Sequence, residues 1–168
     1  MVNILQTERL LLRQFELIDA KFIVELVNTP GWIEFIGDRN IKTEVAAIHY
    51  LRYGPMKSYI ENGFGLWMVE LKDQTPIGMC GILKRDTLEN PDIGFAFLPE
   101  FMGKGYGFEI AAATVNYAQS KLNLETILAI TVPANKRSIK LLEKIGLTFT
   151  KTIVTPVEKE ELMLFSTK

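Results

Sequence analysis

Three glycines stand in five positions, at Gly103, Gly105 and Gly107, directly before a stretch with helical character. Glycine is costly to order and adds nothing to packing, so this spacing indicates that something approaches the bare backbone. A glycine-rich turn that opens a helix presents unpaired amides at the positive end of the helix dipole. The chemistry that such a turn serves is phosphate binding, to which Lys104 adds a cation.

Three phosphate-binding patterns compete for this turn. A Walker loop needs GxxxxGK[ST], which no segment matches. A Rossmann fingerprint needs GxGxxG; the first two glycines are present and Glu125 supplies the later acid, but Phe108 occupies the last glycine position. The pyrophosphate loop of the GNAT N-acetyltransferases, [QR]xxGx[GA], matches residues 102–107 except at its first position, where Met102 replaces Gln or Arg. A tight strand-to-helix turn without a ligand is the remaining alternative.

The elements that must hold this turn follow from the hydrophobic pattern and from its breaks. Helices are expected after Asp19, at 43–62 with a break at Gly54-Pro55, after the glycine turn, and at 135–145 before Gly146. Pro30-Gly31 is expected to end the first helix. Strands are expected at 9–13, 64–71, 77–83, 92–98, 126–132, 148–154 and 161–166. The order predicts an α/β (α+β) fold with an antiparallel front and one βαβ crossover at 92–132.

Composition limits the partners. The 168 residues carry a net charge of −1, whereas a nucleic-acid-binding domain of this size usually has a basic excess. The longest clean apolar run, 110–115, is too short to span a bilayer, and the charged N-terminal segment does not resemble a signal peptide. The single cysteine, Cys80, permits no intrachain disulfide. We therefore expect a cytoplasmic protein with no nucleic-acid or membrane partner.

Four segments, in this order along the chain, resemble motifs of the GNAT superfamily: TERLLLRQFELIDA, PIGMCGI, DIGFAFLPEFMGKGYGFEIA and VPANKRSIKLLEKIGL. The similarity covers essentially the whole chain and is greatest to the branch that contains ribosomal-protein N-terminal (alanine/serine) acetyltransferases. It implies one N-acetyltransferase domain over 1–168. It also implies a mostly antiparallel sheet of six to seven strands with about four helices, splayed between the strands 92–98 and 126–132.

The resemblance further implies how acetyl-CoA would bind. The strand 92–98 would expose backbone at Phe95, Ala96 and Phe97 to the pantetheine arm, which lies in the splay like an added strand. Asn135 and Ser138 would face the cofactor from the last motif, although Asn135 also stands where a helix N-cap belongs. The pyrophosphate would be held by the turn, whose residues are Met102, Gly103, Lys104, Gly105, Tyr106, Gly107 and Phe108.

The catalytic residues of the family are not all present. Many members have a Tyr seven residues after the Asn as general acid and a Glu five residues before it as base, and here those positions hold Leu142 and Ile130. Ser138 is then the candidate to assist the thiolate. Asp92, at the start of its strand, is the candidate base, and a solvated surface role for it stays open.

Other residues that could do chemistry have plainer interpretations. Glu34 lies in the family's acceptor-side segment but is a weaker candidate base. His49 is the only histidine and is expected to be packed or at the surface, while Cys80 is expected in the core. The acceptor pocket could draw on several aromatic residues, which are Trp32, Phe35, Tyr50, Tyr53 and Tyr59.

Taken together, these features predict an enzyme that moves an acetyl group from acetyl-CoA directly to a primary amine. An α-amine near pKa 8 costs roughly 3 kcal/mol less to deprotonate at pH 7 than a lysine amine near 10.4, so it suits a site without the usual Glu and Tyr. The acceptor is a protein N-terminus or a small molecule, no metal is expected, and the protein is a monomer or homodimer. A catalytically weak acyl-CoA-binding module and, more distantly, a dinucleotide-dependent oxidoreductase are the alternatives.

Overall fold

One mixed sheet carries the fold in this computed structural model, which describes residues 1–168. Its neighbouring strands follow the order β1-β2-β3-β4-β5-β6-β8-β7, and every pair is antiparallel except β5 with β6. The strands are β1 (Asn3–Gln6), β2 (Leu10–Arg13), β3 (Leu66–Leu71), β4 (Pro76–Leu83), β5 (Asp92–Phe97), β6 (Leu128–Thr131), β7 (Thr148–Val154) and β8 (Glu161–Ser166). The predicted mostly antiparallel α/β sheet is confirmed.

Six α-helices and two short 3-10 helices flank this sheet. The α-helices are α1 (Ala20–Val27), α2 (Pro30–Phe35), α3 (Glu44–Tyr53), α4 (Pro55–Asn62), α5 (Tyr106–Ser120) and α6 (Lys136–Lys144). The 3-10 helices are Leu17–Asp19 and Pro99–Phe101. None of the helices combines the length and the apolar character needed to cross a membrane.

Alternation along the central strands divides the core between the two faces of the sheet. Trp67 and Val69 of β3 pack with α5, while Met68 between them packs with α1 and α3. Successive side chains of a strand point to opposite faces, so an all-buried strand such as β3 needs helices on both sides. This arrangement fixes α5 and its glycine turn against one face.

Several local predictions differ from the structure. The sheet gains β1, a four-residue edge strand too short to produce a clear pattern. α1 ends at Val27, before Pro30, as predicted, but Pro30 also begins a helix that was not predicted, α2, because a proline at the first helical position loses no hydrogen bond. The carboxylate of Asp19 makes no cap hydrogen bond to α1, since it accepts Nη1 and Nη2 of the buried Arg13 at 2.8 and 2.9 Å.

The splay predicted in the sheet lies between β5 and β6. These parallel strands share a single register pair, Asp92 with Leu128, at the start of β5. Beyond that pair, β5 stays bonded to β4 and β6 stays bonded to β8, so the two halves of the sheet separate. The C-terminal ends of both strands therefore border an open gap.

Candidate active site

Two cavities meet at this gap. The gap cavity, about 410 Å³, is bordered by α2, α3, β4, β5 and β6. The loop cavity, about 590 Å³, is bordered by α2, β5, the glycine turn and α6. Both cavities are lined by Phe95 and Ala96 of β5 and by Asn135 and Ser138 at the start of α6. A ligand can therefore reach from the glycine turn into the gap.

The glycines of the turn have conformational reasons as well as a ligand-binding one. Gly103 and Gly105 have φ of +73° and +84°, which favours glycine. A Cβ on Gly107 would lie 3.3 Å from Cδ2 of Leu141 and 3.5 Å from Cε2 of Phe97. The backbone conformation and packing of the turn thus account for each glycine without a ligand. Evidence for a ligand comes from other features.

One such feature is a run of free backbone amides. The amides of residues 103–108 donate to no acceptor within the protein; the first helical bond of α5 is donated by Glu109 to the carbonyl oxygen of Gly105 at 3.1 Å. Gly105 is the N-cap, so it offers no side chain to these amides. Four of these donors belong to Gly103, Gly105, Gly107 and Phe108, which line the loop cavity beside the N-terminus of a 15-residue helix, a position that suits an anion.

The charge around the loop cavity also suits an anion. Four cations of α6 line this cavity, and no Asp or Glu does. They are Lys136, Arg137, Lys140 and Lys144. The three lysines recur every four residues and so share one helix face, a spacing visible in the sequence but missed in the prediction. The Nζ of Lys144 also lies 4.3 Å from the ring centroid of Phe108.

Arg9 binds the glycine turn and the first turn of α5, and it was not predicted as a site residue. Its Nε donates to Oε2 of Glu109 at 2.6 Å, and its Nη1 donates to the carbonyl oxygen of Lys104 at 3.0 Å. Its guanidinium carbon lies 4.6 Å from the ring centroid of Tyr106. Glu109 also accepts the hydroxyl of Thr7 at 2.6 Å. These contacts tie the turn to the segment before β2.

Lys104 and Met102 flank the turn in different ways. Lys104 is exposed, and its Nζ lies 5.6 Å from the ring centroid of Phe101. Lys104 does not line either cavity, whereas Met102 and Gly103 line the loop cavity. Any electrostatic contribution from Lys104 is therefore that of an exposed surface charge.

The backbone of β5 faces the gap at alternate residues. The amide of Leu98 donates to the carbonyl oxygen of Ile77, on the β4 side. Because this direction alternates along a strand, the backbone polar groups of Phe95 and Phe97 point the other way, toward β6. Those of Ala96 point to β4, where Ala96 pairs with Met79. The prediction that backbone groups are free to bind a ligand in the gap is therefore wrong for Ala96, and it stays a prediction for Phe95 and Phe97.

Asn135 and Ser138 are joined by a helix cap. Oδ1 of Asn135 accepts the backbone amide of Ser138 at 3.1 Å. The Asn-x-x-Ser spacing therefore has a structural role, and the Ser138 hydroxyl makes no hydrogen bond within the protein. Both residues are half-buried and line both cavities, so a cofactor-contact role stays a prediction for each.

Asp92 lies in the gap cavity, paired with Arg85. Nε of Arg85 lies 3.0 and 3.1 Å from the two carboxylate oxygens, and Asp92 is 1% exposed. Its interpretation as a solvated surface residue is therefore wrong. Burial raises the pKa of Asp92 to about 6, and the guanidinium of Arg85 opposes this rise. A carboxyl group that titrates near pH 6 can exchange protons under mild conditions.

The gap cavity contains no further carboxylate or tyrosine at the family positions. Leu142 and Ile130 line it, as the sequence requires, and neither can transfer a proton. Tyr50 lines it as well, and burial raises the pKa of its phenol. Of the other aromatic candidates, Trp32 and Phe35 line this cavity.

The remaining candidates lie outside both cavities. Tyr59 is occupied by a hydrogen bond to the carbonyl oxygen of Leu66, and Tyr53 is 61% exposed beside the exposed His49. Glu34 is exposed and borders neither cavity. Cys80 is buried in the core, as predicted.

The dinucleotide-binding alternative does not fit this topology. A Rossmann crevice needs a mainly parallel sheet, but β5 is antiparallel to β4 and parallel only to β6. Glu125, the candidate ribose-binding acid, is paired on the surface with Lys168 at 2.9 Å. It lines neither cavity.

Comparisons with known proteins agree with this geometry. The family model described as an acetyltransferase (GNAT) domain matches residues 9–148. The uncharacterized N-acetyltransferase YnaD of Bacillus subtilis (strain 168) is 28% identical over 141 residues, 84% of this chain and 80% of YnaD. The uncharacterized protein YkkB of the same organism is 36% identical over 99 residues, so the match spans 55% of this chain and 57% of YkkB.

Solved structures share the whole fold. An acetyltransferase from Agrobacterium tumefaciens str. C58 has a TM-score of 0.82 at 23% identity, over 99% of this chain and 94% of that chain. The ribosomal-protein-S5-alanine acetyltransferase of Vibrio fischeri has a TM-score of 0.80 at 19% identity, over 99% and 96%. The predicted neighbourhood of ribosomal-protein acetyltransferases is thus present among the structures with this fold.

Proposed function

The chain belongs to the GNAT family of N-acetyltransferases, as its motifs predicted, and we propose that it transfers an acetyl group from acetyl-CoA to a primary amine bound in the gap cavity. The observation that carries this proposal is the run of six free amides at 103–108, beside a cationic cavity that opens into the gap. Pyrophosphate needs such donors and cations, and a thioester held beyond them would lie in the splay.

The chain's own residues would bind the donor in three places. The amides of 103–108 would hold the pyrophosphate, with the α6 cations around it. The gap-facing backbone of Phe95 and the carbonyl oxygen of Phe97 would pair with the amide groups of the pantetheine arm, as an added strand does. Asn135 and Ser138, at the junction of the cavities, would lie beside its far end.

Acetyl-CoA supplies an activated thioester, so the protein has to position the amine and manage two protons. Transfer forms a bond from the acceptor nitrogen to the acetyl carbonyl carbon and breaks the carbon–sulfur bond. One proton must leave the amine, and one must reach the sulfur. Asp92, directly or through water, is the proposed acceptor of the first, and the free hydroxyl of Ser138 is the proposed donor to the second.

Electrostatic stabilisation and positioning would supply the rest. The backbone amide of Phe97 faces the gap and is suited to stabilise the oxyanion that develops on the acetyl group. Holding the amine against the thioester contributes several kcal/mol without any proton transfer. An α-amine, including a protein N-terminal one, is the acceptor type that this site serves best, because little free energy is needed to deprotonate it.

A catalytically weak acyl-CoA-binding module is the second candidate. It is favoured by Leu142 and Ile130, which line the gap cavity at the positions where many relatives have a Tyr and a Glu. In either case we propose that residues 1–168 act as one domain, and that the protein works in the cytoplasm.

The test combines binding with turnover. Titration calorimetry measures acetyl-CoA and, as a control, NADH; thiol release is then followed across a panel of primary amines, with acetylated product identified by mass spectrometry. Tight binding of acetyl-CoA with amine-dependent thiol release supports the enzyme. Binding without turnover on any amine supports the module, and absence of acetyl-CoA binding contradicts both.

A further inference from the structure

The charged residues that line the gap cavity are mostly cations. Arg39, Lys84 and Arg85 line it, and Asp92 is the only acidic residue that does so. Arg85 is paired with Asp92, so two positive charges have no negative partner. A pocket built for a polycation would have the opposite balance.

Arg39 and Lys84 are free to bind a ligand. Neither forms a salt bridge or a side-chain hydrogen bond within the protein, and both are exposed at the rim of the cavity. The pKa of the Tyr50 phenol is raised by burial, and Arg39 and Arg85 oppose this rise. Both guanidinium groups therefore lie within electrostatic reach of one point in the cavity.

Arg85 has donors to spare. It uses only Nε toward Asp92, at 3.0 and 3.1 Å, and its two terminal nitrogens donate to no protein atom. The terminal nitrogens of a guanidinium can bind a carboxylate as a fork. Asp92 and Arg85 thus present an acceptor for an ammonium group directly beside donors for a carboxylate.

Most of the remaining cavity wall is apolar, and its few polar residues are uncharged. Trp32, Phe35, Leu66 and Met79 line it, and α2, α3 and the strands close it on several sides. An apolar wall beside a charged end suits a small molecule with a side chain and a charged head. Its volume of about 410 Å³ is in the range for small-molecule sites.

We infer that the acceptor is a primary amine of the amino-acid type. Its carboxylate, close to the amine, is bound by Arg85, Arg39 and Lys84. This inference rests on the proposed function and narrows its acceptor. Among α-amines it favours free amino acids over peptide N-termini, and it disfavours polyamines, because neither a peptide N-terminus nor a polyamine has a carboxylate next to the amine for these three cations.

The experiment compares amino acids with their carboxamides as acceptors, for example methionine with methioninamide. A carboxamide also lowers the pKa of the neighbouring amine, so the kcat/KM ratio of acid to amide is compared between proteins, where this difference cancels. The variant is R39Q/K84Q. Its matched control is R52Q/K121Q, which removes two exposed cations that border neither cavity. Spermidine and an N-terminal alanine tetrapeptide amide are measured beside them.

We expect the acid-to-amide ratio to fall at least tenfold in R39Q/K84Q and to change less than twofold in R52Q/K121Q, with the affinity for acetyl-CoA retained. An unchanged acid-to-amide ratio in R39Q/K84Q overturns the inference. So does a higher kcat/KM of the wild-type protein for spermidine or for the peptide than for the amino acid. Both outcomes leave acetyl transfer itself intact. If acetyl-CoA binds but no amine releases thiol, the proposed function itself fails, and this inference with it.

Discussion

Nε of Arg85 lies 3.0 and 3.1 Å from the two carboxylate oxygens of Asp92, in a position where Asp92 is 1% exposed. Burial raises the pKa of Asp92 to about 6 despite this contact. If Asp92 accepts the amine proton, it must be ionised, so its contribution to the rate is lost as the pH falls below about 6. We expect D92N to lower kcat at least tenfold and to remove this acidic limb.

The measurement is thiol release between pH 5 and 9 with one acceptor, together with calorimetry of acetyl-CoA. The affinity should stay within about twofold of wild type, because Asp92 lies in the gap cavity and does not line the loop cavity. D86N is the matched control, since Asp86 is exposed and borders neither cavity. Full kcat in D92N across this range means that Asp92 only anchors Arg85 and that solvent takes the proton.

The anion-binding turn can be probed without straining it. Gly103 has φ +73°, a backbone region that asparagine tolerates, and a Cβ added to it would meet no other atom within 4 Å. G103N therefore keeps the turn and adds a side chain to the wall of the loop cavity. We expect coenzyme A to bind about tenfold more weakly by calorimetry.

The control is G63N, at the end of α4. Gly63 has φ +76° and equally open surroundings, but it borders neither cavity. G63N should lower the free energy of unfolding by the same small amount as G103N and leave the affinity for coenzyme A unchanged. Equal affinities of the two variants and the wild type would show that the glycines serve the turn alone.

Substitution of Arg9 tests whether its contacts with the glycine turn contribute to coenzyme A binding. R9Q removes the ion pair with Glu109 and weakens the support of the Lys104 carbonyl. The side chain of Arg9 is 44% exposed, so the change in unfolding free energy should be within about 1 kcal/mol. We expect coenzyme A affinity to fall about threefold to tenfold, roughly 0.7–1.4 kcal/mol, because the free amides lose their fixed direction.

Calorimetry and thermal unfolding measure the two effects of R9Q. K168Q is the comparison, since it breaks the exposed pair between Lys168 and Glu125, which borders neither cavity. An R9Q protein that binds coenzyme A as tightly as K168Q does would assign Arg9 to surface charge only.

Asn135 has one structural role and one predicted role, which different substitutions separate. N135A removes the cap on the Ser138 amide and should cost about 1 kcal/mol of stability. N135S restores a capping oxygen and most of that stability, but its shorter side chain reaches less far into the junction of the cavities. We expect N135S to bind coenzyme A several-fold more weakly than wild type although it unfolds at nearly the same temperature.

If N135S matches the wild type in both stability and coenzyme A affinity, Asn135 is a helix cap alone. S138A leaves the cap intact, because the cap uses the backbone amide of that residue. Its kcat then reports on the hydroxyl group by itself.

Much of the fold could be predicted because its signals are local. The short apolar runs of β3 and β4, the break at Gly54-Pro55, and Gly146 after α6 each depend on a few neighbouring residues. The glycine turn was predictable for the same reason. Two short elements without a clear pattern, β1 and the helix α2 that begins at Pro30, were not predicted.

Local patterns could not show which partner a polar side chain takes. Asp19 stands at the N-cap of α1, but Arg13 on β2 binds its carboxylate, and this pairing depends on packing of the strand against the helix. Asp92 follows Asn90-Pro91 and has the local context of a surface residue, yet the neighbouring strands bury it. Burial and the distance to a counter-charge set a pKa, and both are properties of the assembled fold.

The family, the order of the elements and the turn that presents free amides could all be read from the chain, because each depends on residues that are close together in sequence. The distribution of charge over the site could not, since it depends on how distant segments pack. Arg39 comes from the segment after α2, Arg85 from the loop after β4, and Asp92 from β5, and they border one cavity because α2 and the sheet pack together. Charges far apart in sequence act on one another only when folding brings them within a few ångströms.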